Sequence, residues 1–86
     1  MPEKFLFTYR HPTENGFDFA AKLATLPEIA KEIGFADCTD IDRCRIFRIK
    51  AGRPEVCEYT TDHRYQTLTL YDSFGNYIDS ADWPEH

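Results

Sequence analysis

An α+β fold, a mainly antiparallel β-sheet with one short α-helix packed on one face, is what this sequence predicts, in the order ββαββββ. Three observations lead there. Strand-forming runs recur along the chain and are separated by clusters of turn residues. A single segment, TLPEIAKEIG, combines helical apolar spacing with start and stop signals. No repeat, low-complexity tract or linker divides the 86 residues, so residues 1–86 are expected to form a single compact domain. A chain this short buries a modest share of its surface, and its seven Phe, five Tyr and one Trp supply the large apolar areas its core needs.

The first strand is expected in KFLFTYR and the second in FDFAAKL. Between them HPTENG gathers turn residues and ends in Asn15-Gly16, a pair that tolerates positive φ. In the second arm Phe17, Phe19, Ala21 and Leu23 recur at a period of two, the pattern of a half-buried strand. The helix follows at once. Thr25 suits the N-cap, Pro27 an early helical position, and Glu28 stands in capping-box spacing from Thr25. Gly34 is the expected stop. Leu26, Ile29, Ala30 and Ile33 form one apolar stripe, and about two turns of helix need a sheet to lie on.

After an acidic connection, FADCTDID, the strand candidates RCRIFRIK and EVCEYTT are joined by AGRP. The candidates QTLTLYD and NYIDSADW are joined through SFG, where Asp72 is placed to bond the turn backbone and Gly75 to take a left-handed conformation. LYDSFGNYI is similar to the core of a YD repeat of Rhs-type toxin shells, through Tyr71-Asp72 with Gly75 and Ile78. The likeness spans about nine residues in one copy, where such shells need many, so it implies a hairpin turn and no shared function.

All three cysteines, Cys38, Cys44 and Cys57, fall with His63 in one stretch spaced C-x5-C-x12-C-x5-H. Three thiolates and an imidazole have the chemistry of a tetrahedral zinc site, but none of these pairs has the close spacing of the common structural sites. Register sharpens the point. A turn centred on Gly52-Arg53 sets Ile49 opposite Val56, Lys50 opposite Glu55, Arg48 opposite Cys57 and Cys44 opposite Thr61. Cys44 and Cys57 then stand roughly 13 Å apart along the sheet, too far to share an ion or a disulfide. No metal site is expected, and the cysteines read as small buried apolar residues. DCTDID lacks the EF-hand pattern and its closing glutamate. No Walker loop, GxGxxG or HExxH appears, and a Cys44–His63 pair has neither an orienting group nor an oxyanion pocket in view. No enzyme activity and no cofactor are expected.

An odd cysteine count fits a reducing compartment. The longest apolar runs are a few residues, against roughly 20 for a membrane span, and MPEKFLFTYR has no secretory pattern. A cytoplasmic chain without a membrane segment is the expectation. Five of the ten basic residues lie within eleven positions, Arg43, Arg45, Arg48, Lys50 and Arg53, near Phe47 and Tyr59. Such a hairpin suits nucleic acid. Against it stand the net charge of −5 and the acids Glu55 and Glu58 across the ribbon. The acids form two groups, Asp37, Asp40 and Asp42 before the basic strand and Asp72, Asp79, Asp82 and Glu85 near the C-terminus. Tyr77 and Trp83 share parity in the last strand, as an aromatic contact surface or as cover for the core.

The first functional reading is a small acidic non-enzymatic protein-interaction module, an inhibitor from a phage or mobile element. It would act as anti-CRISPR proteins do, occluding a basic surface of a nucleic-acid-handling complex, through Asp37, Asp40, Asp42, Asp79, Asp82, Tyr77 and Trp83. The alternatives are a nucleic-acid binder using Arg43 to Arg53 and a small Cys/His zinc protein. A homodimer through sheet edges is compatible with each.

Overall fold

The computed structural model describes residues 3–35 and 41–83. Its elements are β1 (Lys4–Thr13), β2 (Gly16–Thr25), α1 (Leu26–Phe35), β3 (Asp42–Lys50), β4 (Arg53–Asp62), β5 (Thr67–Tyr71) and β6 (Tyr77–Asp82). The chain is thus mostly antiparallel sheet with one short helix. The strands lie in the order β2-β1-β3-β4-β5-β6, each antiparallel to its neighbours. Because β2 and β3 both oppose β1, they run parallel to each other. A parallel connection needs a crossover, which is the place α1 occupies in the chain. No helix among the described residues is long and apolar enough to cross a membrane.

The first hairpin is longer than its sequence suggests. Its pairing is continuous from Lys4 with Thr25 to Thr13 with Gly16, leaving Glu14-Asn15 as the turn. His11, Pro12 and Thr13 belong to β1, and Gly16 begins β2 with φ of 134°. Pro12 fits in the strand because it faces Phe17 at a position whose backbone does not bond β2.

Thr25 ends β2 and caps α1 as its spacing predicts. Its N–H donates to Glu28 Oε1 at 3.3 Å, and its hydroxyl donates to the same oxygen at 2.7 Å. Gly34 plays a different part from the expected stop. The helix runs through it to Phe35, and a Cβ at Gly34 would lie 2.2 Å from Trp83 Cδ2. Glycine stands there because an indole needs the space.

The β3–β4 turn is at Ala51-Gly52, with φ of 52° and 77°, a type I′ geometry that matches the twist of its strands. This corrects the expected Gly52-Arg53 corner. Lys50 faces Arg53, Arg48 faces Glu55, and Ile46 faces Cys57. The two cysteines are therefore about two positions apart on one side of the ribbon, roughly 7 Å along it, and not the expected 13 Å. A bulge in β3 places Arg43 and Cys44 opposite the single residue Tyr9, with Arg43 at φ 51°.

β4 is shared between two halves of the sheet. Its residues Arg53 to Cys57 pair with β3 and Glu58 to Asp62 pair with β5. The last hairpin turns as its residues predict. Asp72 carboxylate accepts from the N–H groups of Phe74 and Asn76, each at 2.9 Å, and Gly75 is left-handed at φ 88°. Phe5, Phe7, Ile46, Cys57, Leu68, Leu70 and Trp83 form one buried cluster with Ala24 and the helix residues Leu26, Ile29 and Ala30. The alternate residues of the same strands make up the other side of the sheet, and there Phe17, Phe19, Leu23, Ile49, Val56 and Tyr77 are exposed.

Candidate functional site

The apolar stripe of β2 is real, but it faces outward. Phe17 is 57%, Phe19 74% and Leu23 61% exposed, while the intervening Ala24 is buried. The half-buried strand inferred from Phe17, Phe19, Ala21 and Leu23 thus has its covered and open sides exchanged. Helix α1 starts directly after Thr25, and Leu26 goes into the core on the Ala24 side.

Around that stripe the outer side carries charge. Arg10 lies over the Phe17 ring, its guanidinium 3.9 Å from the centroid. The same guanidinium grips Asp42 with two hydrogen bonds, 2.8 Å from Nε to Oδ1 and 2.5 Å from Nη2 to Oδ2. That bond holds the Asp42 carboxyl below its usual range. Beside the β3 bulge is a hollow of about 400 Å³ lined by Thr8, Tyr9, Phe19, Ala20, Ala21, Arg43 and Arg45. Neither Arg43 nor Arg45 makes an ion pair among the described residues.

The basic hairpin does not present one ribbon of charge. Arg45 shares the outer side with Phe47 and Val56, whereas Arg48 shares the inner side with Ile46 and Cys57. Arg48 is 3.6 Å from Glu55, and its Nε is buried without a hydrogen-bond partner among the described residues. Lys50 and Arg53 face each other at the hairpin end. Arg43 and Arg45 line one hollow together with the aromatic residues Tyr9 and Phe19.

The acidic candidates are likewise separated. Asp37 and Asp40 lie outside the described residues, and Asp42 is engaged by Arg10. Asp79 caps the backbone of Ser80, and Asp82 accepts the Thr67 hydroxyl at 2.8 Å. A bulge at Ile78 separates Tyr77 from Trp83. Tyr77 is paired with Tyr71 and exposed, whereas Trp83 is in the core against Gly34, with its backbone N–H bonded to the Gln66 carbonyl. Of the two roles open to these aromatics, contact and core, Trp83 takes the core.

For the Cys/His stretch, Cys38 lies outside the described residues. His63 is exposed with its ring edge-on to Trp83 at 5.5 Å between centroids, not beside Cys44. Cys44 adjoins the Tyr59 hydroxyl, and burial pushes the thiols of both Cys44 and Cys57 up. Both are reduced, and no three His, Cys, Asp or Glu side chains converge among the described residues.

Sequence reasoning missed Arg10 altogether. The one signal available was the pairing of Arg10 in the first strand with an acid at the start of the third, which becomes visible only once β1 is known to neighbour β3. Comparisons with known protein families, characterised proteins and solved structures give no match to this chain.

Proposed function

We propose that the chain is a non-enzymatic protein-interaction module that holds its partner on the outer side of the sheet, at the hollow between Phe19, Arg43 and Arg45. The partner contributes an apolar side chain bordered by carboxylates. One observation carries this reading: a phenylalanine 74% exposed lines a hollow with two arginines that make no ion pair among the described residues. Aromatic and arginine side chains are the usual anchors of interfaces, and opposite charge orients the approach.

The narrower reading, an anti-CRISPR-like phage inhibitor that occludes a basic surface, draws its support from the net charge of −5. The scattered positions of Asp42, Asp79 and Asp82 offer it little. A stacked base with its phosphate also suits two arginines and an aromatic ring. The same negative charge weighs against that nucleic-acid alternative.

Selection of a displayed random-peptide library on the immobilised protein tests the proposal. Enriched peptides should carry an aromatic or aliphatic residue between Asp or Glu, and Phe19→Ser and Arg45→Glu should each abolish the enrichment. Failure to enrich such peptides, or enrichment indifferent to both substitutions, refutes it. Salt-sensitive binding of oligothymidine that disappears in Arg45→Glu would transfer the site to nucleic acid.

A further inference from the structure

The two edges of the sheet are built differently. β6 is six residues long, is interrupted by the bulge at Ile78 and carries Asp79 and Asp82, features that discourage further strand addition. β2 is ten residues long, pairs with β1 without a bulge and contains no proline. Among the described residues no strand pairs with its outward edge, which is a row of backbone donors and acceptors.

The residues that offer them can be identified. The Thr25 N–H turns away from β1 to Glu28, and Pro12, which has no N–H to give, faces Phe17. Backbone bonding alternates along an antiparallel strand, so Phe17, Phe19, Ala21 and Leu23 direct their N–H and C=O groups to the free edge. These are the same residues whose side chains are exposed on the outer side.

We infer that β2 pairs with β2 of a second copy, antiparallel, about a two-fold axis at Ala20. A two-fold axis that joins antiparallel edges stands perpendicular to the sheet and leaves each side of it on the same side in both copies. Odd residues must then face odd residues, and even face even. With the axis at Ala20, Phe17 faces Leu23 of the other copy, Phe19 faces Ala21, and Asp18 faces Lys22. An axis at Phe19 or Ala21 sets Asp18 against alanine and leaves both charges without a mate. The sequence of β2 is thus self-complementary in charge in one register.

Asp18 makes no ion pair among the described residues, whereas Lys22 already holds Glu32. An ammonium has donors for both carboxylates. The Asp18–Lys22 pairs fall at positions without backbone bonds, where opposed side chains are closest. On the outer side Phe19 of each copy lies diagonally across the axis from the other, within reach of an aromatic contact. The interface is isologous and joins two six-stranded sheets into one.

Facing Ala20 residues would have Cα atoms about 4.5 Å apart, inside the range a disulfide spans. In a Cys38→Ser background, Ala20→Cys should cross-link almost completely to a dimer under mild oxidation. Ala21→Cys, which faces Phe19, should not. Sedimentation of the otherwise native chain under reducing conditions should show a dimer. Asp18→Lys should weaken it by about tenfold or more, and Asp18→Lys combined with Lys22→Asp should restore it. A monomer at the highest soluble concentration overturns the inference. So does a dimer that ignores Asp18→Lys or fails to cross-link through Ala20→Cys. Ala20 and Ala21 line the hollow of the proposed function, but Asp18 and Lys22 do not, so the sedimentation of the Asp18→Lys and Asp18→Lys/Lys22→Asp proteins reads the dimer separately from the peptide selection.

Discussion

Replacing Gly34 by alanine would put a methyl group into the ring system of Trp83. The added Cβ would lie 2.2, 2.3 and 2.4 Å from Cδ2, Cε2 and Cγ of the indole, where ordinary contact begins at 3.4 Å. Helix and indole must therefore separate by about 1.2 Å. The ring has little room to give way, because Trp83 is 2% exposed and its backbone N–H is held by the Gln66 carbonyl at 2.9 Å. Two effects compete. Alanine favours the helix over glycine by about 1 kcal/mol. Overpacking a filled core costs about 1–3 kcal/mol, and a clash with a rigid ring belongs at or beyond the upper end. The net expectation is a loss of about 2 kcal/mol, or roughly a 10 °C fall in Tm for a domain of this size. Urea unfolding followed by fluorescence of the sole tryptophan measures it directly. Trp83→Leu removes the rigid ring, so in that background Gly34→Ala should cost far less or turn favourable, a coupling that a double-mutant cycle isolates. A Gly34→Ala protein as stable as the parent, with unchanged fluorescence, would show that α1 and the Trp83 segment are not in contact.

Ala51→Asn should stabilise the protein by about 1 kcal/mol, because alanine is strained at φ 52° and Asn-Gly is the preferred I′ pair; no gain in the urea midpoint would count against a turn at Ala51-Gly52. Three carboxyls are held below their usual range: Asp42 by its bond to Arg10, Asp72 by the Asn76 backbone, and Glu28 by the Thr25 hydroxyl. Folded values below the unfolded ones mean that this stabilisation is complete above the ordinary carboxylate range and is lost as pH falls through the folded values. Urea midpoints should hold from pH 7 to about pH 5 and decline below about pH 4, with a shallower decline in Asp72→Asn; a midpoint that rises on acidification would contradict the sign.

Turns that use favourable chemistry were legible from the residues. Asp72 and Gly75 located the last hairpin, and Thr25 with Glu28 located the start of the helix, because each satisfies a backbone group within a few positions of itself. Where the chain departs from favourable chemistry, its local pattern misleads. Ala51 accepts a left-handed conformation that its side chain disfavours, so Gly52-Arg53 looked the better corner, and a small displacement of the turn halved the separation expected of Cys44 and Cys57. Gly34 is the converse case. Its glycine signature was visible, but the cause lies about fifty residues away in Trp83, and no local pattern encodes that approach.

The open side of the sheet was illegible for a more general reason. A period of two states that the faces of a strand differ; it does not state which face is covered. In β2 the aromatic face carries more apolar area than the face of Asp18, Ala20, Lys22 and Ala24, and burial energy taken strand by strand would put the aromatics inside. The choice belongs to the whole chain. Phe5, Phe7, Ile46, Leu68, Leu70 and Trp83 commit the other strands to the inner side, and antiparallel pairing obliges β2 to follow whatever side its partners in β1 take. Small residues suit β2 on that side, because α1 begins directly at its end and Ala24 is covered. Phe17, Phe19 and Leu23 are then left facing water by a constraint the single strand cannot relieve, and three such exposures on one edge strand are relieved most economically by contact with another chain.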